Sequence, residues 1–383
     1  MLSSQPLPEP YASLPEAETL ERIVRARAAL GKKLFILGHH YQMDEIIRFA
    51  DARGDSYRLS QIGSQQTEAQ YIVFCGVHFM AESADILAQP GQQVILPDLA
   101  AGCSMADMAT ADQTEDAWET LERVCPGRTM PLTYMNSSAA IKAFVGKHGG
   151  SVTTSSNCRT AFEWAFEQRD KILFIPDEHL GRNTAFAMGV PLSKMAVWFP
   201  NLPQGGLTDK QIRDAKIILW KGCCSVHQKF GVADVPRVRE ALPGVKVIVH
   251  PECRYEVCQL ADFVGSTDFI IKTITAAPAG SKWAVGTEIH LTSRLAQENP
   301  DKTIVSLAGI QCLCSTMFRI DPPHLLWVLE NLLEGRVVNR IVVEPETKHW
   351  AQVALTRMLG LKAKTIAPAK PTAPAVAATA AAD

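Results

Sequence analysis

One pattern of helix, glycine, apolar strand and polar strand end occurs three times along this chain. The predicted strands cover residues 34–37, 130–133 and 245–249, and each follows a glycine that can end a helix: Gly31, Gly127 and Gly244. Strand and helix signals that alternate in this way favour parallel strands joined by right-handed helical crossovers. The sequence therefore predicts three copies of a small α/β unit rather than one large sheet.

Each unit continues in the same way, with a short polar turn, a further strand and a cysteine in a loop of small residues. The further strands are predicted at 71–75, 172–175 and 283–285, and the cysteines are Cys103, Cys224 and Cys314. From the helix-ending glycine to this cysteine the chain runs 72, 97 and 70 residues. The middle unit is longer, and we assign most of the additional length to residues 200–220.

These boundaries predict three α/β domains at residues 18–113, 114–232 and 233–367. Segments 1–17 and 368–383 are rich in Pro, Ser or Ala, and we expect both to be disordered tails. A helix at 322–333, a strand at 337–343 and a helix at 346–359 are expected to close the third domain.

Charge and hydropathy exclude several classes of partner. The 38 basic and 40 acidic side chains give a net charge of −2, so the overall charge does not indicate nucleic acid or a membrane surface as the partner. The sequence contains no apolar run long enough for a membrane span and no pattern of a signal peptide at its start. We therefore expect a cytoplasmic chain, in which ten cysteines are thiols, metal ligands or redox groups rather than disulfides.

Polar side chains stand two residues apart at the end of the first strand of every unit. The pairs are His39 with Tyr41, Tyr134 with Asn136, and His250 with Glu252. Residues two apart on a strand point to the same side, so three units around a common axis would direct all three pairs into one cavity. Three hydroxyl groups of the polar turns would join them: Ser56, Ser155 and Thr267. Such a lining suits a small, polar, anionic substrate.

The repeated cysteines predict a metal centre. Packing of the three units would bring the thiolates of Cys103, Cys224 and Cys314 together, and three ligands leave one coordination position open. An iron–sulfur cluster held by three cysteines would have one iron free to bind substrate, and zinc is the alternative occupant. The sequence has no CxxC pair, which argues against a zinc ribbon.

From about residue 20 to residue 361 the chain resembles the quinolinate synthase family, iron–sulfur enzymes of de novo NAD synthesis. The motifs that carry the resemblance are His39-His40-Tyr41-Gln42, Gly54-Asp55-Ser56, Gly76-Val77-His78-Phe79-Met80-Ala81-Glu82, Tyr134-Met135-Asn136-Ser137-Ser138, Val226-His227-Gln228-Lys229-Phe230, His250-Pro251-Glu252-Cys253 and Gly265-Ser266-Thr267. The resemblance implies three three-layer α/β domains with short parallel sheets and pseudo-threefold symmetry, and an active site at the centre.

The resemblance also implies a cofactor and its ligands. Each domain would give one cysteine to a 4Fe-4S cluster, and the ligands would be Cys103, Cys224 and Cys314. Cys312 lies close to the third ligand, but Cys314 is preferred because Met317 follows it by three residues, as in the family. The implied substrate-binding residues are His39, Ser56, Tyr134, Asn136, Ser155 and Thr267.

The implied reaction condenses iminoaspartate with dihydroxyacetone phosphate to give quinolinate, with loss of phosphate and two waters. Glu252 is the expected base, and Tyr41, His250 and His227 are the expected proton donors. An aspartate oxidase that supplies iminoaspartate is the implied partner. Two rival interpretations remain: another three-cysteine iron–sulfur dehydratase or reductase acting on a small phosphorylated substrate, and a non-catalytic zinc or redox sensor.

Overall fold

The computed structural model of this chain describes residues 6–309 and 312–361. A 3-10 turn covers Tyr11–Ser13 and the first α-helix begins at Glu16, so the predicted tail 1–17 extends too far into the chain. Tyr11 is held in place because its hydroxyl donates to Oε2 of Glu330 at 2.9 Å. The predicted tail 368–383 lies outside the described residues.

The first unit has four parallel strands and four helices. They are α1 (Glu16–Leu30), β1 (Leu34–His39), α2 (Asp44–Ile47), β2 (Ala52–Gly54), α3 (Ser56–Gln65), β3 (Tyr71–Cys75), α4 (His78–Leu87) and β4 (Gln93–Ile95). The strands lie in the order β2-β1-β3-β4.

The second unit repeats this arrangement and adds one edge strand. Its elements are α5 (Ala111–Val124), β5 (Thr129–Tyr134), α6 (Ala139–Lys147), β6 (Ser151–Thr153), α7 (Cys158–Gln168), β7 (Lys171–Ile175), α8 (Glu178–Ala187), β8 (Met195–Trp198), α9 (Asp209–Asp214) and β9 (Ile217–Trp220). The strand order is β6-β5-β7-β9-β8, so the greater length of this unit provides α9 and the additional strand β8. The predicted boundary at 113/114 falls inside α5.

The third unit has the same order without the addition. It contains α10 (Asp234–Ala241), β10 (Lys246–Val249), α11 (Tyr255–Leu260), β11 (Phe263–Val264), α12 (Thr267–Thr275), β12 (Lys282–Gly286), α13 (Ile289–Glu298) and β13 (Thr303–Ser306). Its strands lie in the order β11-β10-β12-β13.

The three units therefore share one topology, in which the second strand flanks the first, the third lies on its other side, and β4, β9 or β13 follows the third. The pairing is parallel within every unit. The helix-ending Gly31, Gly127 and Gly244 all have positive φ, of 52°, 63° and 81°, a conformation that favours glycine. The predicted α/β fold with several short parallel sheets is confirmed, and parallel strands place all first-strand ends at the carboxyl edges of their sheets.

The closing segment does not pack where the sequence suggested. It forms α14 (Pro322–Leu333), β14 (Arg340–Ile341) and α15 (Pro345–Gly360). Strand β14 pairs antiparallel with β4 of the first sheet, α14 packs on α1, and α15 packs on α6 of the second unit. The absent side chain of Gly146 allows the last contact, because a Cβ there would lie 1.9 Å from the carbonyl oxygen of Trp350. The expectation that this segment closes the third domain is wrong.

The hydrophobic cores follow the same division. One continuous core joins the first two units with the closing segment, whereas the third unit contains most of two smaller cores. Polar contacts attach the third unit to the others: Arg294 of α13 donates to Asp44 at 2.6 Å, and Asn183 of α8 donates to the carbonyls of Pro251 and Cys253, both at 2.8 Å. None of the helices in the described parts of the chain has the length and apolar character that a membrane span requires.

Candidate active site

A single small cavity lies where the three units meet, and it collects the predicted site residues. All thirteen line it: His39, Tyr41, Ser56, Cys103, Tyr134, Asn136, Ser155, Cys224, His227, His250, Glu252, Thr267 and Cys314. The rest of the lining had no predicted role in the site, and it comprises Asp55, Val77, Phe79, Met80, Thr154, Val226, Thr316 and Met317. Residues far apart in the chain are therefore brought together by the threefold repeat of strand ends and loops.

The strand-end pairs of the first and third units share one local contact. The backbone N–H of Tyr41 donates to Nδ1 of His39 at 3.1 Å, and that of Glu252 donates to Nδ1 of His250 at 3.3 Å. Burial lowers the pKa of His39 to about 3 and also lowers that of His250. A neutral His39 that accepts at Nδ1 carries its hydrogen on Nε2, which makes it a donor there.

The carboxylate of Glu252 lies beside a stacked pair of imidazole rings. Its Oε2 is 3.1 Å from Nδ1 of both His227 and His250, whose rings stack with centroids 4.6 Å apart. Burial opposes ionisation of Glu252, but the two imidazoles outweigh it and lower the pKa of this carboxyl. Nδ1 of His250 accepts the backbone N–H of Glu252 and so has no hydrogen to offer the carboxylate, which leaves Nδ1 of His227 as the ring nitrogen that can donate to Oε2. Oε1 of Glu252 is buried and has no hydrogen-bond partner among the described residues.

Tyr41 connects the first and third units through its hydroxyl. That oxygen lies 2.8 Å from Oγ1 of Thr287 and 3.1 Å from Oγ1 of Thr267. Burial raises the pKa of Tyr41 well above its ordinary value, as it does that of Tyr134, so both remain neutral O–H groups. Thr287 also lies 3.3 Å from Nε2 of His227 and so links Tyr41 to the imidazole pair. The position of Thr287 at the end of a strand was the sequence signal that could have identified it as a site residue. Its role as a link depends on contacts with the two other units.

The polar turns that follow the second strands are helix beginnings. Helix α3 begins at Ser56, α12 begins at Thr267, and Ser155 lies shortly before α7. Asp55 caps α3 by accepting from the backbone N–H of Arg58 at 2.8 Å. All three helices begin at or near the cavity. Their N-terminal N–H groups therefore make the electrostatic potential in the cavity more positive, as the hydroxyl donors also do.

The three cysteine loops have one conformation. Each predicted ligand precedes by three residues a 3-10 helix, at Ala106–Met108, His227–Lys229 and Met317–Arg319. In each loop the N–H four residues on donates to the cysteine carbonyl: Asp107 to Cys103 at 3.2 Å, Gln228 to Cys224 at 3.1 Å, and Phe318 to Cys314 at 3.4 Å. The structure thus places Cys314, rather than Cys312, in the position equivalent to the other two.

The neighbouring cysteines differ from these three in their surroundings. Cys312 is completely buried in a core of the third unit, and its carbonyl accepts from the N–H of Ile289 at 3.1 Å. Cys253 is also buried, and its thiol lies 3.6 Å from the carbonyl oxygen of Gly286. Cys223 is partly exposed but does not line the cavity.

The three cysteine side chains are suitable ligands for a metal group that binds thiolates. Burial raises the pKa of Cys103 to about 12 and that of Cys224 well above its ordinary value, so a cation is needed to displace these protons. Each thiol of a cluster binds a different iron, so three thiols around one cavity are a suitable arrangement. A tighter set is also present, because ligand atoms of Cys224, His227 and Glu252 all lie within 4.8 Å of one another.

Fold and site together define an α/β protein of three related units, with a cavity at their junction that is lined by titratable side chains, hydroxyl groups and three thiols. Residues 21–360 match the family described as Quinolinate synthetase A protein. The quinolinate synthase of Acidobacterium capsulatum is 60% identical over 356 residues, which are 92% of this chain and 95% of that protein. The quinolinate synthase of Streptomyces coelicolor is 58% identical over 91% of this chain and 90% of its own length. The chain belongs to the quinolinate synthase family.

Proposed function

We propose that this chain makes quinolinate from iminoaspartate and dihydroxyacetone phosphate, with release of phosphate and two waters. The observation that carries the proposal is the single cavity in which acid–base groups, hydroxyl donors and three thiols from three units meet. Family membership supports the same reaction and a role in NAD biosynthesis.

The proposed cofactor is a 4Fe-4S cluster held by Cys103, Cys224 and Cys314. When bound, it would supply a Lewis-acidic iron with a position open to a substrate oxygen or nitrogen. The loops around the three cysteines leave their thiols at the cavity surface, whereas Cys312 and Cys253 are buried in packed surroundings. The remaining chemistry is assigned to side chains of the chain itself.

Proton transfer is assigned to the third unit and to Tyr41. Glu252 is ionised and has one free oxygen, so it can accept a proton from a substrate carbon or hydroxyl and share it with His250 or His227. The lowered pKa of Glu252 makes it a weak base alone, and His250, whose Nδ1 carries no hydrogen, can take over the proton. Tyr41 is held as a neutral donor by two threonine hydroxyls.

Binding of the anionic substrates is assigned to neutral donors. His39 offers Nε2–H, and the hydroxyls of Ser56, Ser155 and Thr267 stand at or near helix N-termini. Tyr134 and Asn136 provide further donors from the middle unit. Once bound substrates fill so small a cavity, such hydrogen bonds to carboxylate and phosphate oxygens are stronger than in solvent.

The substrate chemistry also suggests a partner. An imine such as iminoaspartate hydrolyses in water, so a nearby enzyme must supply it, and we propose an aspartate oxidase for this role. Neither a nucleic acid nor a membrane is part of the proposed function.

Anaerobic purification tests the cofactor and the reaction together. We expect a brown protein with about four irons per chain that forms quinolinate from dihydroxyacetone phosphate and iminoaspartate, the latter prepared from oxaloacetate and ammonia. A colourless protein that holds one zinc would contradict the cluster. Loss of that zinc on Glu252→Gln would then assign it to Cys224, His227 and Glu252, the tighter donor set.

A further inference from the structure

A second, larger cavity lies directly outside the central one. Its volume is about 710 Å³, against about 70 Å³ for the central cavity. Because the two cavities share a lining residue, Asp55, the larger space gives substrates a route to the central one.

Consecutive residues divide between the two cavities. In four places one residue lines the central cavity and the next lines the outer one: His39 and His40, Ser56 and Tyr57, Ser155 and Ser156, Thr267 and Asp268. Asp55 lines both. The wall between the cavities is therefore one residue thick. It is joined across the first and second units by the hydroxyl of Ser156, which donates to Oδ2 of Asp55 at 2.7 Å.

Most of the charges in the outer cavity are neutralised by partners. Arg53 pairs with Glu298 at 3.0 Å, and Lys272 pairs with Asp268 at 2.6 Å. Arg294 pairs with Asp44 at 2.6 Å. Burial lowers the pKa of His40 to about 4, so this ring is neutral near pH 7.

Arg58 differs from the other basic groups of this cavity. Among the described residues its guanidinium has no carboxylate partner and no side-chain hydrogen bond. It projects from the first turn of α3, the helix that carries Ser56 into the central cavity. Tyr57, Gln61 and Ser156 add uncharged hydrogen-bonding groups to the same lining. A free guanidinium among such groups matches a phosphate group, which accepts several hydrogen bonds at once.

We propose that the outer cavity is an antechamber that binds the phosphate monoester substrate through Arg58 before it passes the wall at Asp55 and Ser156. The proposal rests on the proposed function for the identity of the phosphorylated ligand. It adds a binding site that precedes the central cavity and favours the phosphorylated substrate over the dicarboxylate.

The test compares Arg58→Gln with Lys216→Gln in the cluster-loaded enzyme. Lys216 is also exposed and lines a different cavity, so the control loses the same charge away from the site. Loss of a charge-assisted hydrogen bond should raise the KM for dihydroxyacetone phosphate about tenfold. The kcat and the KM for iminoaspartate should stay unchanged, and Arg58→Lys should recover part of the loss. Equal kinetics of the two Gln variants would overturn the proposal, as would an equal rise in both KM values.

Binding of inorganic phosphate, measured by calorimetry without turnover, separates this proposal from the reaction itself. Arg58→Gln should weaken phosphate binding about tenfold, and Lys216→Gln should leave it unchanged. If the wild-type protein forms no quinolinate but shows this difference, the antechamber stands and the proposed function fails. If quinolinate forms and phosphate binds both variants equally, the antechamber fails alone.

Discussion

The first and third units use one backbone plan to present opposite chemistry. Both have the strand order second-first-third-fourth, a histidine whose Nδ1 accepts the N–H two residues on, and a cysteine loop leading into a 3-10 helix. The residue two positions after the histidine differs: it is Tyr41 in the first unit and Glu252 in the third.

In the proposed function, this one difference assigns the proton donor to the first unit and the proton acceptor to the third. Burial raises the pKa of Tyr41, so it remains a neutral donor. The imidazoles of His227 and His250 lower the pKa of Glu252, so it is an acceptor. The repeated backbone thus sets where a side chain stands, and the charges around it set its role. Variants that exchange or remove the matched groups test this comparison.

The largest effect is expected from Cys314→Ala. Removal of one of the three thiolates of the proposed cluster should abolish stable iron binding and all activity. Cys312→Ala should keep the iron, because that thiol lies in the core and outside the repeated loop. Iron determination on both anaerobically purified variants is the measurement, and the opposite result would exchange the roles of these two cysteines.

Glu252→Gln should lower kcat by roughly a thousandfold, within the range for loss of a general base. The amide is isosteric but cannot take up a proton. Iron content and thermal stability should remain near those of the wild type, which separates loss of the base from loss of structure. Turnover at the wild-type rate would refute the role of Glu252 as the base.

Tyr41→Phe should lower kcat by about a hundredfold. The loss should be smaller than for Glu252 because Thr267 and Thr287 remain as hydroxyl donors near the same point. Tyr71→Phe is the matched control, since Tyr71 is a buried tyrosine of β3 in the same unit. If both tyrosine variants behave alike, Tyr41 has only a packing role.

The smallest effect concerns stability at acid pH. His39 is neutral when folded because its pKa is about 3, whereas the unfolded chain binds a proton near the ordinary pKa of 6.5. The part of the folding stability that depends on neutral His39 is therefore fully present above pH 6.5 and is lost as the pH falls toward 3. The free energy of unfolding should fall less between pH 7 and pH 5 in His39→Gln than in the wild type, by about 2 kcal/mol. Urea titrations at the two pH values measure this, with His349→Gln, an exposed histidine of α15, as the control.

The sequence predicted much of the site because the chain itself repeats. The spacing of glycines, strands and cysteines predicted the three sheets, and the paired polar residues at strand ends predicted the lining. Thr287 and Asp55 were missed because their roles depend on partners in other units, and single strand ends do not reveal such partners. The repeat indicated Cys314, but the preference for it over Cys312 rested on the resemblance until its loop matched those of Cys103 and Cys224.

The closing segment shows that a local sequence pattern does not determine the surface against which a helix packs. Its helices were recognisable from their apolar spacing, yet their partners are α1 and α6 rather than the third unit. Periodicity shows that a helix has an apolar face but does not identify the surface that covers it. Here the partner depends on local shape, such as the space above Gly146.

The sequence by itself determined the α/β class, the threefold repeat and the residue types available to the site, because these depend on spacing and local propensity. Only the tertiary structure decided which charges surround Glu252, which cysteines face the cavity and which cavity adjoins it. Those properties depend on distances between residues of different units, and packing of the three units against one another sets these distances.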